Sequence, residues 1–306
     1  MATDPDLAPP APDRRALGAF AVAVLIGGTN FVGVRLSNRE LDPLWGAALR
    51  FAFAAAVFGV ICLAMRLRLP RGRTLALVVA YGLLAFGGAY GLLYLAMQEV
   101  PAGVAAVVMA IGPLLTLLLA VAHRLETFSA RAAAGALIAV GGSVLAFLRP
   151  GQPVDWASLL LLGGAALCAA ESVVVSKLCG RQHPVVMNVV GMSVATVALL
   201  LISGLAGENW ALPEQRTTQL AFAYLVAATV GLFVLVLVVV QRWTASATSY
   251  LFVLMPIIAA VVGALVVDEP ITATLAVGAV VVFLGVYVGA LSRTPRPPLP
   301  QVNPPS

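Results

Sequence analysis

Residues 112–142 read GPLLTLLLAVAHRLETFSARAAAGALIAVGG, and residues 255–285 read MPIIAAVVGALVVDEPITATLAVGAVVVFLG. The two stretches align without a gap at an offset of 143 residues, which superimposes four pairs: Pro113 on Pro256, Glu126 on Glu269, Gly135 on Gly278 and Gly142 on Gly285. Four matched Pro, Glu and Gly residues are not expected by chance in an apolar background. The pattern therefore predicts an internal duplication.

The composition places this duplication in a membrane. The chain has 306 residues, of which 61% are hydrophobic and 10% charged, whereas a soluble domain carries about 25% charged residues. The net charge is +5, but the basic residues lie in short gaps between apolar runs and form no continuous stripe. We therefore expect a lipid bilayer as the partner of this surface, and no nucleic acid.

The apolar runs are long enough for helices that cross a bilayer, which takes about 20 residues each. We therefore predict an all-α integral membrane protein with ten transmembrane helices. The predicted spans are 16–34, 43–65, 75–97, 101–122, 131–148, 156–178, 184–206, 218–240, 245–267 and 271–291.

The duplication divides these spans into two repeats of five helices, residues 16–148 and 156–291. Because five is odd, the second repeat must enter the membrane from the opposite side. Inverted repeats of this kind are typical of secondary transporters, although a duplication that merely enlarged a membrane anchor would leave the same trace. The tails, 1–15 and 292–306, are polar and rich in proline, and we expect both to be disordered.

The basic residues predict the orientation. One face collects 13 of the 18 Lys and Arg residues, and Arg50 lies within a span; the other face has Arg35, Arg39, Arg149 and Arg216. Since cytoplasmic loops carry the excess of positive charge, we expect both termini in the cytoplasm. Arg accounts for all but one of these residues, a bias that favours a bacterial origin and hence the plasma (inner) membrane.

Particular residues also carry a resemblance to a known family. The stretch 90–142, with a Pro in the fourth span, a Glu just after it and spaced glycines in the fifth, is similar to the end of one EamA-type half in the drug/metabolite transporter superfamily. The second copy, VVDEPITATLAVGAVVVFLGVYVGAL (266–291), has the same marks, and GGTNFVGVRLS (27–37) and PLWGAALRFAFAAAVF (43–58) add to the resemblance.

This resemblance covers about 16–291. It implies ten helices, cytoplasmic termini, and export or exchange of small metabolites such as amino acids, or of drugs. The family often has Gly just before the Glu of each half, where this chain has Leu125 and Asp268.

Glu171 is the acidic residue that lies well inside a predicted span. A charge at a helix centre costs about 2.5–3.5 kcal/mol, so such a residue usually faces a cavity or a partner. Burial among apolar neighbours favours the protonated carboxyl, which makes Glu171 the candidate for coupling transport to protons. Alternatively, Glu171 anchors its span through interhelical hydrogen bonds or lies closer to the membrane surface.

Arg50 is the basic residue deep in a span. Its guanidinium could bind a substrate carboxylate or phosphate through two hydrogen bonds, or it could be structural, bonding helix-end carbonyls or reaching toward the interface. Arg50 and Glu171 lie on opposite sides of their span midpoints, about 12 Å apart along the helix axis. Direct pairing between them is therefore not expected.

Other polar residues within the spans complete the predicted substrate pathway. Thr29 and Asn30 interrupt the first span, and Ser172 occupies the corresponding place in the second repeat. Tyr90, Tyr94 and Tyr250 could shape an amphipathic pocket, although interhelical bonding and core packing explain such residues equally well.

Matched prolines and glutamates mark the helix junctions. Pro113 and Pro256 lie mid-span and are expected to kink their helices, as hinges or as static bends. Glu126 and Glu269 stand at matched junctions, where stabilising the N-terminus of the following helix is the simplest role. His123 and His183 are interfacial, and we expect both to be solvated.

A membrane-embedded enzyme acting on lipid or isoprenoid substrates is the alternative to a transporter. Such enzymes need clustered acids or a His/Asp pair, and here the adjacent acids near a surface are Asp268 and Glu269. No phosphate-binding loop is present, and no spacing suggests metal ligation, so neither a cofactor nor a metal is expected. The sequence leaves the substrate and the oligomeric state open, a homodimer included.

Overall fold

The structure of the protein is a computed structural model that describes residues 13–100, 102–148, 155–267 and 272–291. These residues form ten helices, of which α4 and α9 each consist of two consecutive segments. Their bounds are α1 (Arg14–Ser37), α2 (Pro43–Ala64), α3 (Gly72–Ala96), α4 (Ala102–Met109 and Gly112–Ala122), α5 (Ala130–Phe147), α6 (Trp156–Leu178), α7 (Pro184–Ala206), α8 (Arg216–Arg242), α9 (Ala245–Thr248 and Tyr250–Val267) and α10 (Ala273–Leu291). The predicted tails lie almost entirely outside the described residues.

Length and hydropathy make nine of the described helices, α2 to α10, able to cross a membrane. The remaining helix, α1, is 24 residues long and contains all of the first predicted span, 16–34. Many large apolar side chains lie on the outer surface, for example Leu205, which is 90% exposed, and Leu63, which is 80% exposed. Such a surface suits lipid as the solvent, and the expected all-helical integral membrane protein is confirmed.

Local sequence signals explain where several helices begin and end. The side chains of Asp13 and Ser129 accept hydrogen bonds from Ala16 N and Ala132 N and so cap α1 and α5. Pro184 occupies the first turn of α7, where proline needs no hydrogen-bond partner. The same helix ends at Gly207, whose φ of 72° lies in the left-handed region that glycine adopts without strain.

Among the described helices, three contain an interruption, and α10 ends in a π-helical segment, Tyr287–Leu291. In α3, residues Leu83–Gly88 form a π-helical segment. The two segments of α4 are separated by residues 110–111, directly before the Gly112–Pro113 pair that starts the second segment. In α9, the interruption falls between Thr248 and Tyr250, and Pro256 lies inside a continuous helix. A hinge at either proline stays a prediction.

Helix packing follows a regular pairing. The most extensive contacts join α5 to α10, α2 to α7, α1 to α8, and α3 to α6. Further contacts join α1 to α9 and α4 to α6. Each contact links a helix from residues 14–147 with one from residues 156–291, so the buried core lies between the two halves of the chain.

The α5–α10 contact is made by backbone against backbone. A Cβ atom added at Gly142 would lie 2.8 Å from Gly278 O, and one added at Gly278 would lie 2.6 Å from Gly142 O. The same reciprocal relation holds between Gly135 and Gly285, at 2.7 Å in both directions. The four glycines that define the sequence repeat therefore allow these two helices to touch.

Candidate functional site

Arg50 is buried at the centre of an aromatic cluster. It lies on α2, and only 3% of its surface is exposed. The guanidinium carbon is 4.8 Å from the ring centroid of Phe51 and 5.2 Å from that of Tyr90. Its Nε has no hydrogen-bond partner, and among the described residues no carboxylate forms an ion pair with it. Arg50 therefore carries a buried positive charge that has no counter-ion among the residues the structure describes.

The cluster draws rings from three helices. Tyr90 is 6.1 Å from Tyr94 and 6.4 Å from Phe233, centroid to centroid. Phe86 lies 5.2 Å from Phe51 and 4.6 Å from Phe233. The sequence prediction named Arg50, Tyr90 and Tyr94 but missed Phe86 and Phe233. The repeat offered a signal for Phe233, because it lies 143 residues after Tyr90.

Of the two polar residues predicted on α1, Asn30 is buried and Thr29 lines a surface recess. Asn30 is buried, and its Oδ1 atom has no hydrogen-bond partner. Thr29 donates to backbone carbonyls of its own helix and accepts a hydrogen bond from the Tyr224 hydroxyl. It lines a recess of about 490 Å³ between α1, α8 and α9. Thr229 on α8, which the prediction missed, is fully buried with an unpartnered hydroxyl.

Two predicted pathway residues make local or structural contacts. Ser172 donates its hydroxyl hydrogen to Ala169 O on its own helix. Tyr250 is buried, and its hydroxyl donates to Ala132 O across the α9–α5 contact. Tyr250 is thus held by α5, while the ring contacts of Tyr90 and Tyr94 are with Phe51, Phe233 and each other.

Glu171 makes a side-chain contact that links two helices. Its Oε1 lies 3.2 Å from Nε2 of His123, the residue that ends α4, and the two side chains are 22% and 36% exposed, respectively. The other carboxylate oxygen, Oε2, is buried without a partner. The absence of an Arg50–Glu171 pair agrees with their expected axial separation. His123 is exposed at this interfacial position, and its ring also contacts Glu171.

Further contacts lie at this end of the bundle, where α1 begins, which we term the proximal end. The carboxylate of Glu126 accepts hydrogen bonds from Ala245 N, Ser246 N and Ser246 Oγ. Glu126 therefore caps the start of α9, not α5 as expected, because Ser129 already caps α5. Nearby, Lys177 on α6 donates to Trp243 O. Glu269, the matched residue, lies outside the described residues.

Carboxylates also join the two halves at the opposite, distal end. Glu208 accepts from Leu44 N at 3.0 Å and Trp45 N at 2.7 Å, which caps α2. Glu40 accepts from Glu214 N at 2.6 Å, and this hydrogen bond is the main reason why the pKa of Glu40 lies below its usual value. The rings of Trp45 and Trp210 stack at 5.3 Å beside these contacts.

Comparison with known proteins assigns this arrangement to a family. The model of the EamA-like transporter family matches residues 14–148 and, a second time, residues 155–290. The chain belongs to the EamA-like transporter family. The expected EamA-type member of the drug/metabolite transporter superfamily is thereby confirmed.

Curated relatives of this EamA-family chain carry transporter names. It is 30% identical to the uncharacterized inner membrane transporter YedA of Escherichia coli K12, over 80% of each chain. It is 28% identical to a probable amino-acid metabolite efflux pump of the same strain, over 87% of this chain and 92% of the relative. It is also 29% identical to the threonine/homoserine exporter RhtA of that strain, over 85% and 88%, respectively.

A solved crystal structure shares the fold. It superposes with a TM-score of 0.76 and 20% sequence identity, covering 91% of this chain and 99% of the other. The helical arrangement of this EamA-family protein is therefore one already seen by experiment.

Proposed function

We propose that this EamA-family protein is a secondary transporter that exports amino acids or related small metabolites across the inner membrane of a bacterium. The family and the names of the relatives support transport as the activity. The observation that carries the substrate class is Arg50, a buried cation without a described acidic partner inside an aromatic cluster. A membrane-embedded enzyme, the alternative considered from sequence, has no support among these relatives.

Arg50 binds the carboxylate of the substrate in this proposal. An uncompensated buried charge is costly, and a partner that arrives with the opposite charge removes much of that cost. A guanidinium presents parallel N–H groups that match a carboxylate, which a lysine ammonium does not. The surrounding rings of Phe51, Tyr90 and Phe233 would contact the apolar part of the same molecule.

The helix pairing supports an alternating-access mechanism. If the repeats 16–148 and 156–291 are inverted copies, the contact of α1 with α8 is the counterpart of that between α6 and α3. The contact of α1 with α9 is likewise the counterpart of that between α6 and α4. The pairs α2–α7 and α5–α10 are then their own counterparts. A site at such a repeat interface can face each side of the membrane in turn, with both termini in the cytoplasm by the charge partition.

Exchange in proteoliposomes tests the proposal. Vesicles loaded with an unlabelled amino acid should take up the labelled compound, in a panel that includes threonine and homoserine, and the decarboxylated amine should not compete. Failure to exchange any compound of the panel would contradict amino-acid transport. If the decarboxylated amine competed as well as the amino acid, the role of Arg50 in binding the carboxylate would be contradicted.

Variants of Arg50 sharpen this test. We expect Arg50→Gln to lower transport efficiency by about tenfold or more, because it removes a charged hydrogen bond worth about 1.5–3 kcal/mol. Arg50→Lys should restore only part of it, since the ammonium lacks the bidentate geometry. Arg68→Gln is the matched control, because Arg68 lies exposed in the loop after α2. Equal rates for Arg50→Gln and the control would exclude Arg50 as the carboxylate site.

A further inference from the structure

The contact between His123 and Glu171 has a geometry that constrains where protons are bound. The imidazole makes two contacts: Nδ1 lies 2.9 Å from Leu119 O, and Nε2 lies 3.2 Å from Glu171 Oε1. His123 belongs to the first repeat and Glu171 to the second, so this contact crosses between the halves. It also closes the proximal end of α4 against α6.

The two contacts constrain where the imidazole protons are bound. A backbone carbonyl only accepts hydrogen bonds, so the contact with Leu119 O requires a proton on Nδ1. A neutral imidazole with a proton on Nδ1 presents a lone pair at Nε2. That lone pair would then face a carboxylate oxygen, which is also an acceptor. The contact is attractive only if one additional proton lies between Nε2 and Oε1.

We propose that His123 and Glu171 form a proton-binding site, in which one proton held between Nε2 and Oε1 couples substrate transport to the proton gradient. This inference rests on the proposed transport function and identifies its coupling ion. With the proton, the pair is a neutral unit that joins α4 to α6. Without it, two acceptors face each other and the pair carries one negative charge.

Two features of the surroundings favour the protonated pair. His123 ends α4, and the carbonyl groups at a helix C-terminus stabilise a positive charge. Glu171 Oε2 is buried without a hydrogen-bond partner, so in the described part of the chain His123 is the group that compensates the carboxylate. A proton on the pair therefore removes an uncompensated charge from an apolar region.

Among the described residues, no other ionisable group forms an ion pair with Glu171. Within the described residues, the ion pairs found are His123–Glu171 and Arg242–Asp13. Glu126 is bonded to Ala245 and Ser246, and Lys177 to Trp243 O. Besides the pair itself, the titratable and charged groups on α6 and on the elements packed against it are Arg73, Tyr81, Tyr90, Tyr94, Cys168, Lys177, Arg216, Tyr224 and Arg242, and the loop after α4 adds Arg124 and Glu126.

Release of the proton changes whether the proximal end of the bundle is open. The proton leaves the pair for water at the proximal end, where His123 is 36% exposed. The N–H···O contact is lost, and the end of α4 is no longer drawn to α6. Because Glu126 follows three residues after His123 and holds the start of α9, movement of this segment also affects that contact. Protonation thus favours a closed proximal end, and release favours its opening.

Nuclear magnetic resonance of labelled histidine tests the proton site without any substrate. The chain has only two histidines, and His183→Asn leaves His123 alone while keeping a residue type that can cap α7. Spectra of the imidazole nitrogens and the glutamate carboxyl carbons are recorded in proteoliposomes over a pH series. We expect His123 and Glu171 to change together, as a coupled pair does, and Glu171→Gln to move the His123 transition. Independent transitions, or a His123 transition that Glu171→Gln leaves unchanged, would overturn the proposal.

Transport measurements test the coupling. With an imposed proton gradient, we expect Glu171→Gln and His123→Gln to lose accumulation of substrate above its external concentration while they keep exchange. Glu99→Gln is the matched control, because Glu99 is an exposed carboxylate between α3 and α4. If either variant accumulates substrate as the control does, with the same pH profile, the proposed proton coupling is wrong. If the unmodified protein moves no amino acid, the proposed function fails, and the spectra still decide whether the proton site exists.

Discussion

The side chain of Glu126 bonds to Ala245, which lies 119 positions later in the chain. Its two carboxylate oxygens accept three hydrogen bonds from Ala245 and Ser246 at the start of α9. Replacing it by Gln keeps the size but removes the charge that strengthens these bonds. We expect Glu126→Gln to lower the free energy of unfolding by about 1–3 kcal/mol, measured by thermal unfolding in detergent.

The control for this variant is another carboxylate of the chain. Glu99→Gln removes the same charge from an exposed position, where the effect on stability should be small. An equal loss of stability in the two variants would show that net charge matters and the capping contact of Glu126 does not.

At the residue scale, the sequence identified which charged side chains lie inside apolar helices, but it did not predict their contacts. Arg50 and Glu171 could be singled out because charges are costly in apolar helices. Their partners depend on how each helix is rotated about its axis. The pairing of Glu171 with His123 and that of Arg50 with Phe51 and Tyr90 therefore emerged only from the structure.

Among the helices, α5 and α10 give the sharpest packing test. A Cβ atom at Gly142 would lie 2.6 Å from Val282 N and 2.8 Å from Gly278 O, and these backbone atoms cannot move aside as a side chain can. We expect Gly142→Val to force the two helices apart, at a cost of about 1–3 kcal/mol or more. Thermal unfolding and the yield of folded protein in the membrane are the measurements.

The adjacent glycine provides the control. A Cβ atom at Gly141 would meet no atom within 4 Å, so Gly141→Val adds the same side chain on the lipid-facing side of α5. This variant should unfold near the temperature of the unmodified protein. If both valines destabilise alike, the cause is helix propensity and not the close approach of α5 and α10.

Helix ends were predictable where the sequence carries capping signals. The bounds of α6 and α7, Trp156–Leu178 and Pro184–Ala206, equal the predicted spans, because Asp155, Pro184 and Gly207 mark them. The interruption in α4 falls directly before Pro113, where a kink was predicted, whereas those in α3 and α9 were not foreseen at their positions. A helix can change its hydrogen-bonding pattern within an apolar run while the hydropathy stays the same. Hydropathy therefore gives no signal for the position of such a change.

For the whole molecule, orientation is the property that the charge partition predicts. We expect reporter tags after residue 306 and in the loop 66–73 to lie in the cytoplasm, and a tag in the loop 207–216 to lie outside, since positive loops stay in the cytoplasm. Fusions to a reporter active on only one side of the membrane measure this. A C-terminal tag found outside would contradict both the orientation and the inverted-repeat proposal.

The duplication was the whole-molecule feature that sequence could supply, because matched Pro, Glu and Gly residues keep a constant offset of 143. It does not supply the contacts between the halves. Glu126 at the proximal end and Glu208 at the distal end each reach a helix of the other half, and such contacts require the two halves to be assembled.

The glycine contact between α5 and α10 has a mechanical consequence. Two bodies that touch backbone to backbone along one edge cannot slide apart there without losing that contact. Rotation of the two halves about the line of this contact would keep it intact. Displacement would then be smallest beside α5 and α10 and would grow toward the helices on the opposite side. If the two halves alternate access as proposed, opening of either membrane face is a change of angle about this contact, and the gap that admits a molecule widens with distance from α5 and α10.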